Sequence, residues 1–192
     1  YSPHLTPSAE ECEVEHQEMA QYLAAAGVDL ILVETMNTVR EAVAAASAAQ
    51  RTRLPFMVSF VCGPDHRLLS GESLAEAVAA LAPLEPLALM INCMSTSAVL
   101  QALQELRAAT ELPIGAYANI GHAQSGWGWD FSEDISADAY GRHVRSWLAV
   151  GARLVGGCCG TTPAHIAVLA DVIYDYLALS RQTANDRTLS IA

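Results

Sequence analysis

Two adjacent cysteines stand in the stretch Gly156-Gly157-Cys158-Cys159-Gly160-Thr161-Thr162-Pro163, and a third, Cys93, follows Asn92 far upstream. The apolar residues Leu154 and Val155 lead into the pair, and Thr162-Pro163 after it reads as a helix start, with Thr as N-cap and Pro at the first helical position. Cysteines at a strand-to-helix junction are placed to face a reaction site. Cys93, Cys158 and Cys159 are therefore expected to hold one zinc ion. Soft thiolates select zinc over magnesium or calcium, and three protein ligands leave a fourth position open, the pattern of a catalytic site. Three thiolates around one divalent cation leave an excess of negative charge, so an incoming thiol is stripped of its proton (ordinary pKa about 8.5) yet remains electron-rich. The chemistry that suits such a centre is displacement at an activated methyl group by a small thiol.

The elements that position these residues follow from periodicity. Residues 1–7 read as a loop. Capping boxes are expected at Ser8 with Glu11, Thr38 with Glu41, and Ser73 with Glu76. Each opens an apolar stripe at helical spacing: Met19, Tyr22, Leu23 and Ala26; Val39, Ala42, Val43 and Ala46; Leu74, Ala77, Val78 and Leu81. Further stripes comprise Val99, Leu103 and Leu106; Tyr140, Val144, Trp147 and Leu148; and Ile166, Leu169, Ala170, Ile173 and Leu177. Short aliphatic runs at residues 28–33, 56–61, 87–91, 113–118 and 154–157 read as strands buried on both faces, the pattern of a parallel sheet. The alternation of helix and strand gives an α/β chain of about five strands, in either an open doubly wound sheet or part of an eight-stranded barrel. A single domain over residues 1–179 and a polar tail over 180–192 are expected.

On that frame the polar and sulfur residues fall at one end. Glu34 and Thr35 close the first strand, Ser59 lies late in the second, Cys93 closes the third, Asn119 the fourth, and Cys158 and Cys159 the fifth. Residues at the carboxyl ends of parallel strands converge on the mouth of a barrel or the crevice of an open sheet. Glu34, a carboxylate after an aliphatic run, needs a cation or a donor, and a substrate ammonium is the expected partner because the chain has no lysine.

Composition narrows the function further. The chain has 192 residues, 52% hydrophobic and 16% charged, which fits a buried globular core. A net charge of −11 disfavours nucleic acid and anionic membrane surfaces as partners. No apolar stretch is long enough to span a bilayer. The absence of lysine excludes Schiff-base chemistry and a lysine-anchored pyridoxal phosphate within the chain. Five cysteines, an odd number, fit a reducing compartment, here the cytoplasm, better than a disulfide framework. A first residue of Tyr rather than Met suggests a piece of a longer protein.

The double-cysteine stretch through Ala164-His165-Ile166, the Asn92-Cys93 pair, Val33-Glu34-Thr35 and Arg67-Leu68-Leu69-Ser70-Gly71 together resemble the homocysteine S-methyltransferase family. The resemblance implies a (β/α)8 TIM barrel, here an N-terminally truncated one, with Zn2+ held by Cys93, Cys158 and Cys159. It further implies Glu34 against the homocysteine amino group, with Thr35 beside it, and Asn119 in the segment of the seventh barrel strand. The activity implied is methyl transfer from a small sulfonium donor, S-methylmethionine or S-adenosylmethionine, to homocysteine, giving methionine. Members of this family begin with a strand ending in Asp-Gly-Gly, whose acid helps hold homocysteine, and the first three strands have no counterpart here. The alternatives are an inactive fragment or a structural zinc module, and, less favoured, a phosphate-binding barrel enzyme. Cys12 and Cys62 read as structural, as does Cys93 taken alone. His122, Trp127 and Trp129 are lesser candidates for substrate contact.

Overall fold

The computed structural model describes residues 2–123, 129–130 and 136–189, with side chains over 2–121 and 136–179. Helix α1 (Ala9–Ala25) starts from a complete capping box: the Ser8 hydroxyl accepts the Glu11 N–H while the Glu11 carboxylate accepts the Ser8 N–H. Gly27, at φ 81°, closes it in the left-handed conformation that glycine adopts without strain. Strand β1 (Ile31–Met36), helix α2 (Val39–Arg51), strand β2 (Phe56–Phe60) and helix α3 (Leu74–Leu81) follow. Helix α3 carries a second complete box, at Ser73 and Glu76. At Thr38 only half of the expected box forms: its hydroxyl accepts the Glu41 N–H, while the Val39 N–H is taken by Glu72 from the loop before α3.

Strand β3 (Leu89–Ser95), helix α4 (Thr96–Ala109) and strand β4 (Ile114–Asn119) complete the middle of the chain. A two-residue antiparallel ribbon, β5 (His122–Ala123) with β6 (Trp129–Asp130), precedes helix α5 (Ala137–Ala149), strand β7 (Ala152–Gly157) and helix α6 (Pro163–Leu189). Helix α6 thus continues ten residues past position 179, where the sequence reading placed the start of a polar tail.

The five long strands are all parallel and lie in the order β1-β2-β3-β4-β7, the order in which the chain visits them. A doubly wound sheet reverses direction at a switch point, whereas a barrel adds each strand beside the last. The sequential order therefore selects the barrel-type arrangement between the two alternatives. The core lies on one side of the sheet: Val58, Phe60, Leu89, Ile91, Ile114 and Ala116 pack against helix residues such as Leu81, Leu103, Leu106, Val144 and Trp147. Register sets Ser59 beside Met90, Asn92 beside Tyr117, and Tyr117 beside Gly156, so these residues share the opposite face.

Among the described residues the sheet ends at β1 and β7, and four expectations about burial change there. Strand β7, expected to be buried on both faces, has Arg153 exposed and residues 154–157 only half-buried. The first strand begins at Ile31, and its burial alternates rather than being continuous, with Leu32 38% exposed. Among the described residues β1 is an edge strand, with one flank unpaired and its open face toward solvent. Met19 and Tyr22, expected as the inner stripe of α1, are exposed, and Met19 lines a groove of about 430 Å³ along β1 with Leu23, Leu32 and Glu34. On α6 the buried positions are His165, Leu169 and Val172, while Ile166 and Leu177 of the expected stripe are exposed. Leu177 instead lines a groove of about 610 Å³ beside β7. Among the described residues no helix is long and apolar enough to cross a membrane.

Candidate metal and substrate site

The three cysteines meet at the carboxyl ends of β3 and β7. Cys158 Sγ lies 3.4 Å from Cys93 Sγ, and Cys159 Sγ lies 3.9 Å from each of the other two. Tetrahedral zinc with Zn–S bonds of about 2.3 Å requires S···S separations of about 3.8 Å. The donor set therefore fits such an ion in chemistry and in spacing. Among the described residues these three form the cluster of potential metal ligands, all their sulfurs lying within 4.8 Å of one another. The Cys158 thiol is pushed well above its ordinary range, first by its hydrogen bond to Cys93, then by burial and by the charge of Cys93. Cys159 is raised as well, by burial and then by Cys93. Three thiols this close resist joint ionisation unless a cation neutralises them.

Backbone geometry brings Cys93 into the cluster. In an unbroken strand Asn92 and Cys93 would point to opposite faces, and Asn92 points to the open face. Cys93 instead has φ 59°, in the left-handed region, at an interruption of the β3–β4 register between Asn92 and Ser95. The irregularity re-aims its side chain, as bulges next to active sites do. Thr35, at φ 63°, sits at a matching interruption of the β1–β2 register between Val33 and Met36. Non-glycine residues in this region cost on the order of 1–3 kcal/mol each and persist where the surroundings over-determine them.

Cys158 and Cys159 are held from β4 and α5. Asn119 Oδ1 accepts the Cys159 N–H at 3.1 Å, the Cys158 N–H donates to the Ala118 carbonyl, and Thr161 Oγ1 donates to the Cys158 carbonyl. The fully buried Tyr140 places its hydroxyl in the seam between β4 and β7. It accepts the Ala118 N–H at 2.9 Å and faces the Gly156 carbonyl at 2.8 Å and that of Ala118 at 3.1 Å. Its ring stacks edge-on with Trp147 and with the buried His165, whose Nδ1 accepts the Thr162 N–H at the start of α6. A cradle for phosphate at Gly156 to Thr162 is disfavoured, since this loop is tied to the three thiols.

The expected substrate residues are placed unequally. Glu34 is exposed on the open face of β1, so burial does not force a cation upon it as the sequence reading held; the edge position leaves it in solvent. It does face the site, for the Tyr117 hydroxyl donates to its Oε2 at 3.2 Å. Burial, as the largest influence, raises the Tyr117 hydroxyl well above the ordinary phenol range, which keeps it a donor. Thr35 is committed to Asn92, and Asn119 has its oxygen committed to Cys159. Trp127 and the side chains of His122 and Trp129 lie outside the described residues. Tyr117 and the hydroxyl of Tyr140 were not singled out by sequence, because a tyrosine in a strand and one in an apolar helix stripe both read as packing.

Parallel strands in sequential order bring three thiols together at their carboxyl ends, a cluster able to ligate a metal on a barrel-type sheet. The chain belongs to the homocysteine S-methyltransferase family, whose model matches residues 1–173. It is 36% identical over 168 residues to the homocysteine S-methyltransferase of Escherichia coli K12, covering 84% of this chain and 53% of that protein. Homocysteine S-methyltransferase 1 of Zea mays is 29% identical over 171 residues, 86% of this chain and 53% of the relative. Among solved structures, the metallated form of the homocysteine methyltransferase MmuM from E. coli superposes with a TM-score of 0.70 at 35% identity, over 85% of this chain and 51% of that one. The apo form gives 0.73 at 34%, over 88% and 59%. The chain spans about half the length of the curated relatives it matches. Its five parallel strands and their helices are thus part of a (β/α)8 barrel.

Proposed function

We propose that this chain carries the metal-thiolate portion of a zinc-dependent homocysteine S-methyltransferase that makes methionine from homocysteine in the cytoplasm. The donor in this reading is a small sulfonium, S-methylmethionine or S-adenosylmethionine. The observation that carries it is the spacing of the three sulfurs, 3.4, 3.9 and 3.9 Å, which suits tetrahedral zinc with one position left for an incoming thiol. Family membership and the similarity to a metallated relative support the same reading.

Bound zinc would supply the positive charge that ionises the homocysteine thiol at neutral pH. Cys93, Cys158 and Cys159 would hold that charge in place. Glu34 receives the substrate ammonium on the open face, with its Oε2 oriented by the Tyr117 hydroxyl so that the other oxygen is available. The substrate sulfur, its proton already released to solvent, would then attack the donor's methyl carbon. A new C–S bond forms, the methyl–sulfur bond of the sulfonium breaks, and its electron pair stays on the donor sulfur, which leaves as a neutral thioether. Residues 1–179 act here as one unit.

Purified protein, assayed for bound zinc and for methionine formed from homocysteine with each sulfonium in turn, tests the reading. Zinc at one equivalent with turnover that a chelator abolishes is expected; turnover by metal-free protein would sink it. One observation favours a second reading, metal binding without turnover by this chain alone. Strands β1 and β7 are both open edges bordered by exposed apolar residues such as Met19, Leu32 and Leu177. Zinc uptake with no methionine formed from either donor would establish that reading.

A further inference from the structure

The side chain of Asn92, fully buried, reaches from β3 across β2 to β1. Its Oδ1 accepts the Thr35 N–H at 3.2 Å and the Ser59 hydroxyl at 2.6 Å, and its Nδ2 donates to Thr35 Oγ1 at 2.8 Å. The Thr35 N–H is an obligate donor, so the atom it meets must be the amide oxygen, and the orientation of the amide is fixed by chemistry. Ser59, itself fully buried, adds a second donor to the same oxygen.

We propose that Asn92 is a positioning residue that ties the thiol end of the site to its carboxylate end, one buried amide holding both left-handed corners. Thr35 occupies its corner where the β1–β2 register is interrupted, and the amide of Asn92 meets both its N–H and its hydroxyl there. On the other side, Asn92 is the residue directly before Cys93, so anchoring its side chain fixes the strand end from which Cys93 turns toward Cys158. Glu34 directly precedes Thr35 and faces the same open side. The amide thereby sets the separation between the three sulfurs and the carboxylate. The other amide side chain, glutamine, offers the same donor and acceptor but is one methylene too long for the same three partners. The inference rests on the proposed function only in assigning zinc to one end and homocysteine to the other.

The test compares the protein with its Asn92→Ala variant by three readouts: Zn2+ affinity against a chromophoric chelator, the thiolate-to-metal charge-transfer band of the Co2+-loaded form, and the rate at which diamide joins Cys93 to Cys158, followed by peptide mapping. Asn92→Ala is expected to weaken Zn2+ binding about 10–100-fold, the usual effect of losing a group that orients a ligand. It should also reduce the Co2+ band toward that of two thiolates and slow the diamide reaction severalfold. A folded Asn92→Ala protein with unchanged Zn2+ affinity and an unchanged diamide rate overturns the proposal. Should that variant not fold, Thr35→Val, which removes one acceptor at the rim of the site, decides in its place: weaker Zn2+ binding restored by Thr35→Ser supports the clamp, and no change refutes it. If the unaltered protein takes up no Zn2+, the metal reading has failed, and the diamide rates alone judge Asn92.

Discussion

The sulfurs of Cys93 and Cys158 lie 3.4 Å apart although 65 positions separate the two residues in the chain. The approach depends on a left-handed backbone at Cys93 and on the closing turn after β7, where Cys158 donates its N–H to Ala118 of β4. The contact brings together ends of strands that are not adjacent in the sheet, since β4 lies between β3 and β7.

Replacing one sulfur should therefore disable the whole centre. Cys159→Ser is expected to abolish zinc retention and thiol methylation together, and Cys93→Ser to do the same. Metal analysis of the purified variants beside a methionine-forming assay checks this. Full turnover in a variant lacking zinc would contradict the assigned role.

The Tyr117 hydroxyl is expected to matter for substrate binding more than for the chemical step. Tyr117→Phe removes the donor to Glu34 Oε2 while keeping the ring. The KM for homocysteine should rise roughly threefold to tenfold, equivalent to about 0.7–1.4 kcal/mol, with kcat nearly unchanged. Glu34→Gln should raise KM further, because it removes the charge as well. Steady-state kinetics of both variants separates these outcomes.

Tyr140→Phe probes the seam between β4 and β7. The substitution leaves the Ala118 N–H and the Gly156 carbonyl without the hydroxyl, deep in the core, while keeping the stacking with Trp147 and His165. Unpaired buried groups of this kind cost about 1–3 kcal/mol, so a denaturant midpoint lowered with an unchanged m-value is expected.

Alkaline pH should weaken the fold through Cys62. Burial, followed by the nearby charges of Glu105 and Asp65, pushes this thiol from 9.0 up to about 12. Above pH 9 the unfolded chain has released the proton while the folded chain still holds it, so the denatured state gains as pH rises. Stability contributed by the neutral thiol is complete below pH 9 and is lost progressively toward pH 12. Urea titrations from pH 8 to 11 on the protein and on Cys62→Ala should show a shallower decline for the variant.

Much of the architecture was legible in the chain itself. Capping residues at Ser8 and Ser73, apolar spacing on α2 to α5, and the βα rhythm are local signals, each decided within a few turns of backbone. The three cysteines announced themselves by residue type and by their places at strand ends. Several local readings failed at an edge: continuous burial at residues 28–33 and 154–157, the inner stripe of α1 and that of α6 all presume neighbours that β1 and β7 lack among the described residues.

What the amino-acid order determined alone was the sequence of elements and the chemistry available at their ends. The tertiary structure decided that the strands lie in sequential order, that Cys93 turns out of its strand to meet Cys158, that Glu34 stands in solvent beside Tyr117, that Asn92 bonds Thr35 and Ser59, and that Tyr140 bridges β4 and β7. The physical reason is range. Periodicity and caps arise from interactions along one element, whereas strand order, a left-handed corner and a hydroxyl inserted between two strands are stabilised only by partners from distant parts of the chain.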